Sequence, residues 1–212
     1  MRDWVAWHTA YDDPASPLST RLRVVRGHLS DALDAAPPGP VRLVSLCAGQ
    51  GHDVLGVLPA HPRGPQVSAV LVEADPQNAA LARQGAEHAG LPQVEVRQAD
   101  AARVANYADA LPADVLLLCG IFGNVSDEDI RRTAQAAPAL CAPGATVIWT
   151  RHRRAPDLTP RIRGWFQASG FDEVAFDVPD QALTGVSVGV GRLAVTPAAA
   201  LPDGPLFTFR AA

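Results

Sequence analysis

The chain has 212 residues, 48% hydrophobic and 19% charged, which is the profile of one globular domain with a true core and excludes a disordered segment. Its 22 acidic and 18 basic residues leave a formal net charge of −4, which argues against a nucleic-acid surface held by counterion release. Each of the 18 basic residues is arginine, and without lysine the chain can neither form a Schiff base nor build the lysine-dependent phosphate loop.

The three cysteines, Cys47, Cys119 and Cys141, lack any CxxC spacing. A disulfide framework or a structural zinc site is not expected, and a reducing cytoplasm is. The opening stretch MRDWVAWHTAYDD is polar and aromatic, with no apolar run of signal-peptide length. No stretch approaches the ~20 apolar residues that span a bilayer. A cytoplasmic protein with no membrane or nucleic-acid partner is expected, as a monomer or homodimer.

In chain order, Trp4, Trp7, His8 and Tyr11 stand at i, i+3, i+4 and i+7, one face if this segment is helical. They read as a staple to the core or as a lid over a ligand. Ser16-Pro17 is a helix-start signal, and Leu18, Leu22, Val25, Leu29 and Leu33 follow at helical spacing. Residues 1–40 are therefore expected to form a helical cap, joined through AAPPGP (35–40) to a domain over 41–212. There, β-branched runs at Val41–Cys47, Val67–Glu73, Val94–Gln98, Val115–Cys119 and Ala145–Thr150 alternate with helical patterns. The helices are expected at Pro76–Ala89, Asp127–Leu140 and Thr159–Ser169, with Pro143-Gly144 marking a turn before the fifth strand. Such alternation predicts a doubly wound α/β fold, a mostly parallel sheet covered by helices on both faces. Phe171–Val178 and Val186–Val195 then read as two strands, the second antiparallel. LFTF at 206–209 is expected to pair at an edge or to pack.

The first strand runs into LVSLCAGQGHD (43–53), where Gly49 and Gly51 allow a tight turn and close backbone approach to a ligand. The second strand ends at Glu73, followed by Ala74, where a carboxylate accepts from ribose hydroxyls. Asp100, followed by Ala101, closes the third strand, where it can accept from an adenine amine. These features point to an adenosine ligand. The dinucleotide fingerprint wants a third glycine where the chain has Val54, which disfavours NAD.

With these motifs, residues 41–195 resemble the class I, seven-stranded S-adenosylmethionine-dependent methyltransferases. The family's hhDhGxGxG motif aligns with Leu43–Gly51. Glu73 falls on its ribose-binding acid and Asp100 on its adenine-contacting acid. CGIFGN (119–124) falls on the end of the fourth strand and LCAPGATVIWT (140–150) on the turn and fifth strand. The resemblance implies a seven-stranded sheet, S-adenosylmethionine as cofactor, and Cys47, Ala48, Gly49, Gly51, Glu73, Ala74, Asp100, Ala101, Cys119 and Gly120 around it. It implies methyl transfer to a small-molecule acceptor, with O-, N- and C-methylation all open. Two residues depart from the motif. Ser45 replaces the acid that helps hold the methionine amino group, so backbone carbonyls near Cys119-Gly120 or side chains of the cap are expected to serve. Cys47 replaces the first glycine.

His28, His61 and His88 show no metal-ligand spacing. His52 can flank the methionine end or simply pack. His152, in TRHRR past the fifth strand, is the expected general base because imidazole titrates near neutrality. Trp4, Trp7, His8, Tyr11, Phe122, Asn124 and Thr150 are expected at the acceptor or lid. The competing classes are an NAD(P)-dependent oxidoreductase and a protein that binds S-adenosylmethionine without methylating.

Overall fold

A computed structural model describes residues 11, 13–179, 185–197 and 200–210. Trp4, Trp7 and His8 lie outside the described residues, so the lid expected of them rests on Tyr11 alone.

Helix α1 spans Pro17–Ala35; Ser16 caps it by accepting from the Ser19 amide, and Pro17 supplies the fixed φ of a first turn. Strand β1 (Val41–Leu46) leads into the one-turn helix α2 (His52–Leu55), then come β2 (Val67–Glu73), α3 (Pro76–His88) and β3 (Val94–Gln98). The second half runs β4 (Ala113–Leu118), α4 (Asp127–Leu140), β5 (Cys141–His152), α5 (Thr159–Ala168), β6 (Phe171–Asp177) and β7 (Val186–Leu193). The sheet order is β3-β2-β1-β4-β5-β7-β6. Every pairing from β3 to β5 is parallel, and β7 runs antiparallel to both β5 and β6. The order reverses between β1 and β4, and at such a switch point the loops part to leave a crevice.

Successive residues of the central strands point to opposite faces and feed two cores. Leu43, Val115 and Leu117 pack with Val25, Leu29 and Leu33 of α1. Val44, Leu46, Leu116 and Leu118 pack with Ile130 of α4 and with Ile162 and Phe166 of α5. The apolar stripe of α1 thus has two uses. Its C-terminal half is core, while Leu18 and Leu22 line a cavity.

One expected boundary is corrected. Pro143-Gly144 is not a turn before the fifth strand but lies within β5, which begins at Cys141. Ala113 pairs with Cys141 and Val115 with Thr146, so β5 carries extra residues here. Pro143 has no amide proton to give the ladder and Gly144 takes φ +75°, which suits a bulge. The tail both pairs and packs: Val125 bridges Phe209, Leu206 donates its amide to Ala102, and Leu206 and Phe207 are buried.

The joint at 35–40 is held by one side chain. The Arg63 guanidinium donates to the carbonyls of Leu33 and Ala36 at 2.6 Å, Pro37 at 2.7 Å and Gly39 at 3.1 Å. It satisfies carbonyls that the end of α1 leaves open. Bonds from a charged donor at a half-exposed site sum to about 2 kcal/mol. Arg63→Ala is expected to lower Tm by about 4–8 °C in a thermal melt; an unchanged Tm would mean the joint is held elsewhere.

Candidate functional site

The loops that follow β1, β2, β4 and β5, together with the first turns of α1, enclose a cavity of about 580 Å³. At its floor the chain turns from β1 to α2. Cys47, Gly49 and Gly51 have φ of +54°, +57° and +73°, so all three glycine positions of the motif are left-handed. Cys47 holds a conformation that side chains seldom adopt, which explains why glycine suits that place.

Glu73 organises this turn. One carboxylate oxygen accepts from the Gly49 amide at 2.7 Å and the other from the Asp75 amide at 2.8 Å. Asp75 in turn caps α3 by accepting from the amides of Gln77 and Asn78. Two loops are therefore pinned to one acid, each oxygen of which keeps further acceptor capacity. Cys47, Ala48, Gly49, Glu73, Ala74, Cys119 and Gly120 all line the cavity. Gly51 does not; its α-carbon faces Leu71 and Leu55, where a Cβ would stand 2.8 Å from Leu71 Cδ2.

Asp100 and Ala101 are also off the lining. The Asp100 carboxylate accepts from the Ala102 amide at 2.9 Å and faces Arg103 at 3.6 Å on an exposed turn, while Ala101 is buried. Phe122 is placed differently from the expectation of an acceptor residue. Its ring is fully buried against Trp149 and Phe166, since the loop after β4 folds back onto the sheet. Its carbonyl accepts from Arg151, which lines the cavity.

The far wall comes from β4 and β5. Thr150 Oγ1 accepts from the Gly120 amide at 3.0 Å, and Asn124 Nδ2 donates to the Gly120 carbonyl at 2.8 Å. Gly120 has φ +78°, and a Cβ there would meet no atom within 4 Å. Arg151, His152 and Arg154 line the same side. Arg151 Nε and His152 Nδ1 are buried without a hydrogen-bond partner among the described residues. Burial, then the charges of Arg151 and Arg154, hold the His152 imidazole below its ordinary 6.5, so it is neutral at physiological pH.

Tyr11, Arg21 and Asp53 complete the lining. Tyr11 Oη accepts from Arg21 Nη2 at 2.6 Å, and its ring lies 5.0 Å from that of His52. Asp53 and Arg21 were not singled out in the sequence. A one-turn helix gives no periodicity to flag Asp53, and Arg21 sits within a stripe read for its leucines. Burial pushes the Asp53 carboxyl up, opposed by the Val54 amide, its own amide, Arg21 and Arg26. Arg26 is already engaged, donating to the His52 carbonyl from Nε at 2.9 Å and Nη2 at 2.6 Å. Among the described residues no group of histidine, cysteine and carboxylate side chains could hold a metal.

The sheet order and the crevice are those of the seven-stranded class I methyltransferase fold, which solved structures share. Magnesium protoporphyrin IX methyltransferase from Synechocystis, with bound S-adenosylmethionine, aligns over 88% of each chain at 11% identity and TM-score 0.69. An O-methyltransferase family protein from Burkholderia thailandensis aligns over 81% of this chain at 18% identity and TM-score 0.63, and this chain spans 56% of that protein's length. A (4+2)-cyclase aligns over 79% of this chain and 81% of its own at 16% identity and TM-score 0.56. No family model matches the chain, and no curated protein sequence does.

The thiols are unsuited to attack. Burial pushes Cys119 up to about 12, and burial with the charges of Glu73 and Asp100 pushes Cys47 well above its ordinary value. A thiol displaced from 9.0 to about 12 holds about a thousandth of the usual thiolate. Labelling with a disulfide reagent at pH 7.5 should be at least about a hundredfold slower for the native protein than after unfolding; comparable rates would contradict these environments.

Proposed function

We propose that the protein transfers the methyl group of S-adenosylmethionine to a small-molecule acceptor, with α1 as the cap of the site. The observation that carries this reading is Glu73, a carboxylate at the end of β2 that closes the glycine turn and faces the same cavity as Gly49 and Gly120. The cavity fits the cofactor: Gly49 brings bare backbone to its floor, where the neighbouring side chains of the turn are the small Cys47 and Ala48, and Gly120 leaves space at its wall. Glu73 would hold ribose hydroxyls, with Ala48, Gly49 and Ala74 against the nucleoside and Cys119 and Gly120 toward the sulfonium. When bound, S-adenosylmethionine supplies an electrophilic methyl group.

The chain's own part is alignment, exclusion of water and proton removal. Tyr11, Leu18 and Leu22 roof the cavity, and Thr150 and Asn124 fix the Gly120 loop by hydrogen bonds to its amide and carbonyl. His152, neutral and with Nδ1 unpartnered, is the group to take a proton from the acceptor. Arg151 and Arg154 form no ion pair within 4.0 Å among the described residues, which favours an acceptor carrying negative charge. The enclosed shape and the net charge of −4 favour a small molecule over nucleic acid. The free thiols of Cys47, Cys119 and Cys141 suit the cytoplasm, and no helix among the described residues is long and apolar enough to cross a membrane.

A reading in which S-adenosylmethionine is bound but not consumed draws support from Ser45 and Cys47, which break the first motif, and from the cyclase that shares this fold. Conversion to S-adenosylhomocysteine separates the two. By calorimetry the protein should bind S-adenosylmethionine and S-adenosylhomocysteine and not NADH. Glu73→Ala should weaken both about ten- to a hundredfold, the equivalent of ~1.5–3 kcal/mol for a charged hydrogen bond. Unchanged affinity removes Glu73 from the site.

His152→Ala should lower turnover about 10²–10⁴-fold with cofactor affinity little changed. Because its pKa lies below 6.5, the active neutral form is lost only as pH falls through that depressed value. The rate should therefore rise with pH below 6.5 and be flat above about pH 7. A rate that keeps rising above pH 8 would identify a different base.

A further inference from the structure

We infer that Arg154 selects the methyl acceptor, binding the carboxylate of a ring-sized acid whose reacting atom lies at His152. This rests on the methyl-transfer reading and names its substrate class. The placement follows from β5. Successive residues of an extended strand face opposite sides. Ile148 faces the core under α1, so Thr150 and His152 share that side, and both line the cavity. The pairing with β7 runs one residue past the strand, where the Arg153 amide donates to the Gly185 carbonyl at 2.5 Å. Arg154 therefore continues the row, and it too lines the cavity.

The neighbouring arginines are engaged and Arg154 is not. Arg153 Nε meets the Asp157 carboxylate at 2.8 Å. Arg151 donates from Nη1 to the Phe122 carbonyl and so holds the loop after β4. Arg154 makes no hydrogen bond or ion pair among the described residues. Its guanidinium is a planar fork that a carboxylate meets with two parallel bonds. The acids of the lining, Asp53, Glu73 and Asp75, all follow β1 and β2. An anion at the end of β5 thus meets the charges of Arg151 and Arg154 with no carboxylate of the lining on that side.

Spacing and lining set the body of the acid. Two residues of extended chain advance about 7 Å, so the bases of the His152 and Arg154 side chains stand one substituted ring apart. Val186 lies opposite His152 in the pairing of β5 with β7. Phe209 comes from the tail, which the Val125 bridge and the Arg210 amide, donating to the Asn124 carbonyl at 2.8 Å, tie to the loop after β4. Both side chains line the cavity and give this wall apolar surface. A neutral sugar would leave the guanidinium without its anion, and a polyamine would bring the wrong sign. An acid on an apolar ring satisfies both.

The test is calorimetry on protein saturated with S-adenosylhomocysteine. The probes are benzoate, 3-hydroxybenzoate and phenylacetate, each against its own primary amide. At least one acid should bind, and about tenfold more tightly than its amide. Arg154→Gln should erase that preference, weakening the acid about tenfold while the amide and S-adenosylhomocysteine stay within twofold. Acids that bind the native protein no better than their amides, or not at all, overturn the assignment even if the variant fails to fold. A preference that survives in Arg154→Gln overturns it too, as does an equal loss of acid, amide and S-adenosylhomocysteine, since that marks a structural role. Native protein that does not bind S-adenosylhomocysteine overturns the methyl-transfer reading itself.

Discussion

The site depends on one carboxylate bridging two backbones. Glu73 ends β2 and takes the amides of Gly49 and Asp75 on separate oxygens. A charged acceptor makes these bonds stronger than neutral ones, and the geometry they fix is otherwise unfavourable. The turn it holds contains three consecutive alternate residues at positive φ, one of them a cysteine. On the other side it sets the start of α3, whose cap, Asp75, is the residue it grips. Without that bridge neither the floor of the cavity nor the direction of α3 is determined by the sheet alone.

Around this bridge the charges separate. Glu73, Asp75 and Asp53 lie toward β1 and β2, and Arg151 and Arg154 lie at the end of β5 and just past it. In a partly enclosed site opposite charges interact more strongly than in water, so a cationic ligand and an anionic ligand are drawn to different ends. The same field acts on His152, whose two arginine neighbours add to burial in disfavouring its protonated form.

The strands and most helices were legible because their signals are local. β-Branched runs at 67–73 and 94–98 match β2 and β3 residue for residue, and Pro76 and Thr159 open helices where expected. The bulge in β5 was not legible, since Pro143-Gly144 reads equally as a turn, and only pairing across to Ala113 and Val115 distinguishes the two. Phe122 was misplaced for a related reason. Position at a strand's end does not say which way a ring points, and here an aromatic core of Trp149 and Phe166 claims it. Asp53 and Arg21 were missed because their meaning is relational. An aspartate after a glycine turn reads as a cap, and an arginine on an amphipathic helix reads as a solvated face. Only the docking of α1 across β4 and β5 brings the two to one cavity.

A sheet shared by methyltransferases and a cyclase cannot itself select a reaction. What the fold supplies is a switch-point crevice, and the side chains that enter it come from segments with few constraints in common: a glycine turn, the end of β5 and a helix ahead of the first strand. The replacement of an acid at position 45 is compatible with this division. The strand position is buried between two leucines, where a carboxylate costs more than a serine unless it is paired.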